Sequence, residues 1–207
     1  MKKYEFTGET KEIRLLFRTV TLHRIRATVA FGIVEVGDLG GWIEKEENLS
    51  HEGKAWVCGD AKVWGNAEVC GDAEVWGNAE VWGNAKVCGD AKVWGNAEVC
   101  GDAKVCGDAE VWGNAKVCGD AEVFSASHVL VIGAIGSRND FTTFYRDKDN
   151  EITVKCGCFL GKIDRFLEKV TQTHGDSKYA LVYRAAVEVA KLQIDLSGEA
   201  PKDADEE

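Results

Sequence analysis

One loop in the C-terminal third of the chain concentrates side chains that could do chemistry. Gly133-Ala134-Ile135-Gly136-Ser137-Arg138-Asn139-Asp140 joins a flexible glycine backbone, whose N–H groups can approach an anion, to a hydroxyl, a guanidinium fork and an amide. Thr142, Thr143 and Tyr145 follow at once with three more hydroxyls, and His174 lies further along. A phosphate- or carboxylate-bearing ligand, nucleotide-like in character, suits that set; the plainer alternative is a glycine-rich turn with Arg138 paired to an acid. Cys156-Gly157-Cys158 places two thiols on one strand face, with His174 able to fold back towards them. Three soft ligands without two-pair spacing do not make a structural zinc site, so no metal and no cofactor is assigned. A Cys–His nucleophile and base pair would lack a third group to orient it.

These residues need elements to hold them. Phe141 to Arg146 and Ile152 to Cys156, separated by the polar turn Asp147-Lys148-Asp149-Asn150, predict a β-hairpin. Two helices follow. The first carries Ile163, Phe166, Leu167 and Val170 on one stripe and stops at His174-Gly175. The second starts from Asp176 as N-cap and runs Tyr179, Val182, Tyr183, Ala186, Val187, Ala190 and Ile194 down one face. From Ser197 the acidic tail with Pro201 predicts disorder.

Upstream, from Gly53 to Phe124, a six-residue unit repeats almost without error, as in Gly59-Asp60-Ala61-Lys62-Val63-Trp64. One such unit cannot bury a core alone and must stack on its neighbours. In an extended chain Ala61 and Val63 share one face, while Asp60, Lys62 and Trp64 share the other. Charges do not sit unpaired in a core, so Ala and Val point inward and the Trp/Cys position points out. Gly followed by Asp or Asn supplies the corner. The unit resembles the hexapeptide repeat of left-handed parallel β-helix proteins, and that resemblance implies a coil of three units, eighteen residues. On that period the outward positions sort into columns: Cys58, Trp76, Trp94, Trp112; Trp64, Trp82, Cys100, Cys118; and Cys70, Cys88, Cys106, Phe124. Every Trp of these columns precedes Gly-Asn and every Cys of them precedes Gly-Asp, which duplication of two cassettes would also produce.

Residues 1–35 read as a β-rich cap over the open end of the prism, where a bare strand edge would invite polymerisation. Residues 36–132 form the β-helix, with Ile43 and Leu49 as inward positions of an irregular first coil; residues 133–196 are the hairpin and two helices; residues 197–207 are the tail. The fold class is mainly β, a left-handed parallel β-helix with an N-terminal β cap and a small C-terminal α+β module. Gly37-Asp38-Leu39-Gly40-Gly41-Trp42-Ile43-Glu44 and Glu47-Asn48-Leu49-Ser50 resemble the start of the array in uncharacterised hexapeptide-like proteins of phages, prophages and bacteria, which implies a fold and a genomic setting.

The net charge of −10 over 207 residues argues against a phosphate-backbone partner. No stretch is apolar enough for a membrane span and the N-terminus has no apolar signal core, so the expected location is cytoplasmic. Coils about 4.8 Å apart bring column cysteines within disulfide range, and in a reducing cytosol free thiols are expected.

Many hexapeptide β-helix proteins are acyltransferases with a catalytic His on a coil, and carbonic anhydrase relatives hold zinc with three His. The four histidines here, His23, His51, His128 and His174, all lie at or beyond the margins of the regular array. Three functions follow as expectations. The first is a non-catalytic trimer, as the resemblance implies, that binds and could sequester a small anionic ligand, its copies meeting along Trp76, Trp94 and Trp112. The second is a degenerate acyl- or nucleotidyl-transferase using His128 or His174 as base. The third is a structural rod that engages a protein through its Trp face.

Overall fold

The computed structural model describes residues 2–201. Each six-residue unit contributes one two-residue strand, and the chain turns at every Gly-Asp or Gly-Asn. The N-terminal strands β1 (Tyr4–Arg14), β2 (Thr19–Ala27) and β3 (Leu39–Ile43) precede twelve such strands among the described residues, β4 (Trp56–Val57) to β15 (Glu122–Val123). Every third strand stacks in parallel on the next, Val63 on Val81 on Val99 on Val117, so the partners lie eighteen residues apart. The result is a parallel β-solenoid of about five turns with three sheet faces. The first coil is irregular: Ile43 pairs with Val63 and Leu49 bridges Val69, offsets of twenty residues.

Parity decides the packing. The array Val and Ala side chains fill the lumen as one continuous core at 0–1 % exposure. The Lys/Glu and Trp/Cys positions face outward. Lys62 meets Glu80 at 2.6 Å and Lys116 meets Glu98 at 2.7 Å across adjacent turns, although Glu80 also stacks beside Glu98 in register. Asparagines ladder along a corner, Asn78 to Asn96 to Asn114, each amide donating to the next at 3.2 Å. Trp76, Trp94 and Trp112 stack on the outside with centroids 5.0 and 6.2 Å apart. Trp64 and Trp82 stack likewise at 5.1 Å, but Val20 and Leu22 of β2 lie over Trp64 and bury it.

The cysteine columns depart from the expectation of free thiols. Cys88 is bonded to Cys106 and Cys100 to Cys118, with Cα atoms 4.5 and 4.6 Å apart. Residues stacked at the coil spacing already stand where a disulfide needs them.

Both ends of the lumen are closed, each by a buried tyrosine. At the N-terminal end Tyr4, Ile25 and Ala27 enter the lumen core, and the Tyr4 hydroxyl bonds the carbonyls of Glu46 and Leu49 at 2.9 and 3.0 Å. Lys3 donates to the Ala55 carbonyl at 2.8 Å. At the far end β16 (Val129–Ile135), β17 (Asp140–Arg146), β18 (Ile152–Cys156) and β19 (Phe159–Lys162) form an antiparallel sheet. Its β17 lies between two cores: Tyr145 enters the lumen, while Phe144 faces α1 (Ile163–His174) and α2 (Lys178–Gln193). Gly175 takes positive φ as the C-cap of α1. The N-cap of α2 is Ser177 rather than Asp176, and Val182 and half-buried Tyr179 are not among its core residues. Of the expected disordered tail, residues 202–207 lie outside the described residues, and Ser197 to Pro201 carry no helix or strand.

Two outcomes test this architecture. Gly83 has φ +82°, and an added Cβ would stand 2.9 Å from the Gly101 nitrogen and 3.0 Å from its carbonyl oxygen. Gly83→Ala is therefore expected to lower unfolding free energy by about 2 kcal/mol in urea titrations. Burial pulls the Lys3 ammonium down to about 8, against a smaller opposing pull from Asp72. The folded chain thus holds this proton more weakly than the unfolded one, and between about pH 8 and 10.5 the unfolded state carries more of it. Wild-type stability is expected to rise relative to Lys3→Met across that window, read by thermal melts at both ends.

Candidate functional site

The C-terminal sheet and α1 enclose a cleft of about 370 Å³. Three segments position its walls. The β16–β17 turn, closed by Asn139 N–H to the Gly136 carbonyl at 3.3 Å, carries Ser137 and Arg138. The tight turn between β18 and β19 carries Gly157, at φ +56°, and Cys158. The last two turns of α1 present Phe166, Lys169, Val170, Thr173 and His174.

Tyr183 of α2 forms the floor. Its ring stands edge-on to Phe166 with centroids 5.5 Å apart, and Phe159 packs on Phe166 at 5.3 Å. His174 stacks on the same tyrosine at 5.8 Å. Gly136 rests directly on the phenol: a Cβ there would fall 1.9 Å from Tyr183 Oη, so only glycine fits. Burial, with Cys156 nearby, pushes the Tyr183 phenol up to about 12 against the pull of the Arg138 guanidinium, so it stays a neutral O–H donor at physiological pH.

The rim is cationic in a chain that is acidic overall. Arg138 has no ion-pair partner among the described residues, which removes the plain reading of an arginine locked to an acid. Among the described residues Lys169 bonds only the amide oxygen of Gln172, at 3.1 Å. Asp140 is the acid in the lining, and its carboxylate accepts from the Phe141 N–H at 2.7 Å. A larger cleft of about 530 Å³ lies under Phe31 and Val34 beside Trp56 and Trp76. There Lys54 is held by Asp72 at 2.6 Å, and Asp72, Glu74 and Asp90 outnumber the lining lysines Lys54 and Lys92.

Of the residues expected from the sequence, Ser137, Arg138 and His174 meet in the cleft, and Asn139 sits beside it in the turn, exposed at φ +51°. Thr142, Thr143 and Tyr145 do not reach it. All three are buried: Thr142 donates to Cys156 Sγ at 3.3 Å, Thr143 accepts from Lys116 N–H at 3.0 Å, and Tyr145 donates to the Cys118 carbonyl at 2.8 Å. Both faces of β17 are covered from Thr142 onward, so Thr143 and Tyr145 end the solenoid while Thr142 is buried on the helix side behind Cys156.

The thiols need a second correction. Cys156 ends β18 and Cys158 falls in the following turn, so they do not share a strand face. His174 makes no hydrogen bond to either among the described residues, and no group of three His, Cys, Asp or Glu side chains gathers as metal ligands there. His128, the other base considered, is buried, accepts the Phe124 N–H at 3.1 Å, and is held below the usual imidazole range by burial and by Arg146. It belongs to the end of the solenoid.

Lys169, Thr173, Phe159, Phe166 and Tyr183 were missed by sequence reasoning. A helical wheel of α1 would have found part of the set, because Lys169 and Thr173, and Val170 and His174, are four residues apart. No protein-family profile matches the chain, and no curated protein matches it in sequence. No helix among the described residues is long and apolar enough to cross a membrane.

Gly136→Ala is expected to displace the Tyr183 ring while leaving the solenoid intact. Amide NMR signals from the segments around 156, 174 and 183 should move and those of the array should not; an unchanged spectrum would count against the contact.

Proposed function

We propose that this chain is a non-catalytic binding protein in which the solenoid is a rigid post and the C-terminal cleft takes a small, anionic, nucleotide-like ligand. One observation carries the reading: Arg138, without an acid of its own, opens onto a cleft floored by Phe159, Phe166 and Tyr183. A phosphate would sit against Arg138 and Lys169, whose donors favour charge-assisted hydrogen bonds. A planar base would lie among the aromatic rings, as ligand sites combine an apolar wall with a few convergent polar groups. In the same proposal copies meet along Trp76, Trp94 and Trp112 as a trimer; Trp112, 58 % exposed, leaves apolar surface for a neighbour to cover.

Native mass spectrometry and calorimetry with adenosine monophosphate as the probe test this. The expected outcome is a trimer carrying saturable ligand, recovered chemically unchanged, with affinity reduced about tenfold or more by Arg138→Ala. Absence of saturable binding, or an unaffected Arg138→Ala variant, would refute the reading.

A further inference from the structure

The ligand cleft does not end at Lys169. Beyond that residue a second cleft of about 440 Å³ opens, lined by Leu160, Gly161, Arg165 and Glu168, and the side chains of Phe159 and Lys169 line both. Helix α1 makes this continuity. Its residues Phe166 and Val170 pack inward, Thr173 and His174 face the first cleft, and Arg165, Lys169 and Gln172, at steps of four and three, run along its exposed side. Opposite them the Phe159 ring lies over Gly161, where an added Cβ would stand 3.3 Å from Cζ. Leu160 rests against a solenoid corner, its Cδ2 3.7 Å from the place of a Cβ on Gly119, and is still 46 % exposed.

The two clefts repeat one chemical character. Arg165 makes no hydrogen bond or ion pair among the described residues, and Glu168, the acid of the outer lining, makes no ion pair with it. The inner cleft, the shared wall and the outer cleft therefore each present a cation: Arg138, Lys169 and Arg165. Each cleft also offers apolar surface, Phe166 and Tyr183 inside and Leu160 outside, with Phe159 between them. Each volume lies near the lower end of the roughly 300–1,000 Å³ in which small-molecule sites fall, so one nucleotide in the first leaves the second to be filled. Two nucleotides joined through phosphate match both, because the link puts negative charge at the middle of the molecule, where Lys169 stands, and a flat apolar base at each end.

We propose that the ligand is a dinucleotide, with one base among Phe159, Phe166 and Tyr183, the linking phosphate on Lys169, and the second nucleotide in the outer cleft against Leu160 and Arg165. This rests on the binding role proposed for the first cleft and names the class of molecule that the whole site takes. Once the first unit is held, occupancy of the outer cleft becomes an intramolecular step, so the joined molecule binds more tightly than a single unit.

Calorimetry on the full chain with two probes, adenosine monophosphate and a 5′-phosphorylated diadenylate, tests the proposal. The dinucleotide is expected to bind about tenfold or more tightly than the monophosphate. Arg165→Ala, at an exposed helix position, should remove most of that gain while the affinity for the monophosphate and the far-ultraviolet circular dichroism stay unchanged. Leu160→Ser should act in the same direction. Equal affinity for the two probes, or an Arg165→Ala variant that keeps the full gain, would overturn the dinucleotide assignment and leave the role of the first cleft standing. Failure of both probes to bind would overturn both readings.

Discussion

The structure depends on the spacing between successive coils. Parallel strands stacked at about 4.8 Å leave room at each corner for backbone on backbone and nothing larger. The array corners meet this with glycine at positive φ, as at Gly83 over Gly101, and the same spacing fixes what lies on either side of the wall. Inside, only alanine and valine fill so narrow a lumen without leaving voids. Outside, the spacing brings like residues into register, so tryptophans stack, asparagines ladder and cysteines bond.

A stack of this kind has no natural end, and the chain supplies one at each side by the same physical device. Tyr4 and Tyr145 each push a ring into the lumen and satisfy backbone carbonyls with the hydroxyl, Glu46 and Leu49 at one end and Cys118 at the other. Burial raises both phenols well above the ordinary tyrosine range, so both remain neutral donors. The end caps thereby remove the bare apolar cross-section and the unpaired edge that a repeating strand array would otherwise present.

The C-terminal module follows from that capping. Because β17 is buried on both faces from Thr142 onward, its lumen side terminates the solenoid and its other side carries the helices, and the cleft forms only at the sheet's far turns. Arg138 is therefore held on a turn braced by Gly136 against Tyr183 and not on a loose loop. Rigidity of this sort favours binding, since little ordering is left to be done when a ligand arrives.

The sequence by itself determined the solenoid, because parity and the glycine corners are local properties repeated many times over. It also placed the hairpin and both helices, and it found Ser137, Arg138 and His174, whose types are distinctive wherever they fall. Tertiary structure decided the rest. Thr142, Thr143 and Tyr145 read as accessible hydroxyls because alternation along one strand cannot reveal that a solenoid end covers one face and two helices the other. Lys169, Phe166 and Tyr183 join Arg138 only through the packing of α1 and α2 on the sheet, contacts between residues tens of positions apart. Side-chain type and short-range period are written in the chain, whereas which surfaces meet is settled by the packing of whole elements.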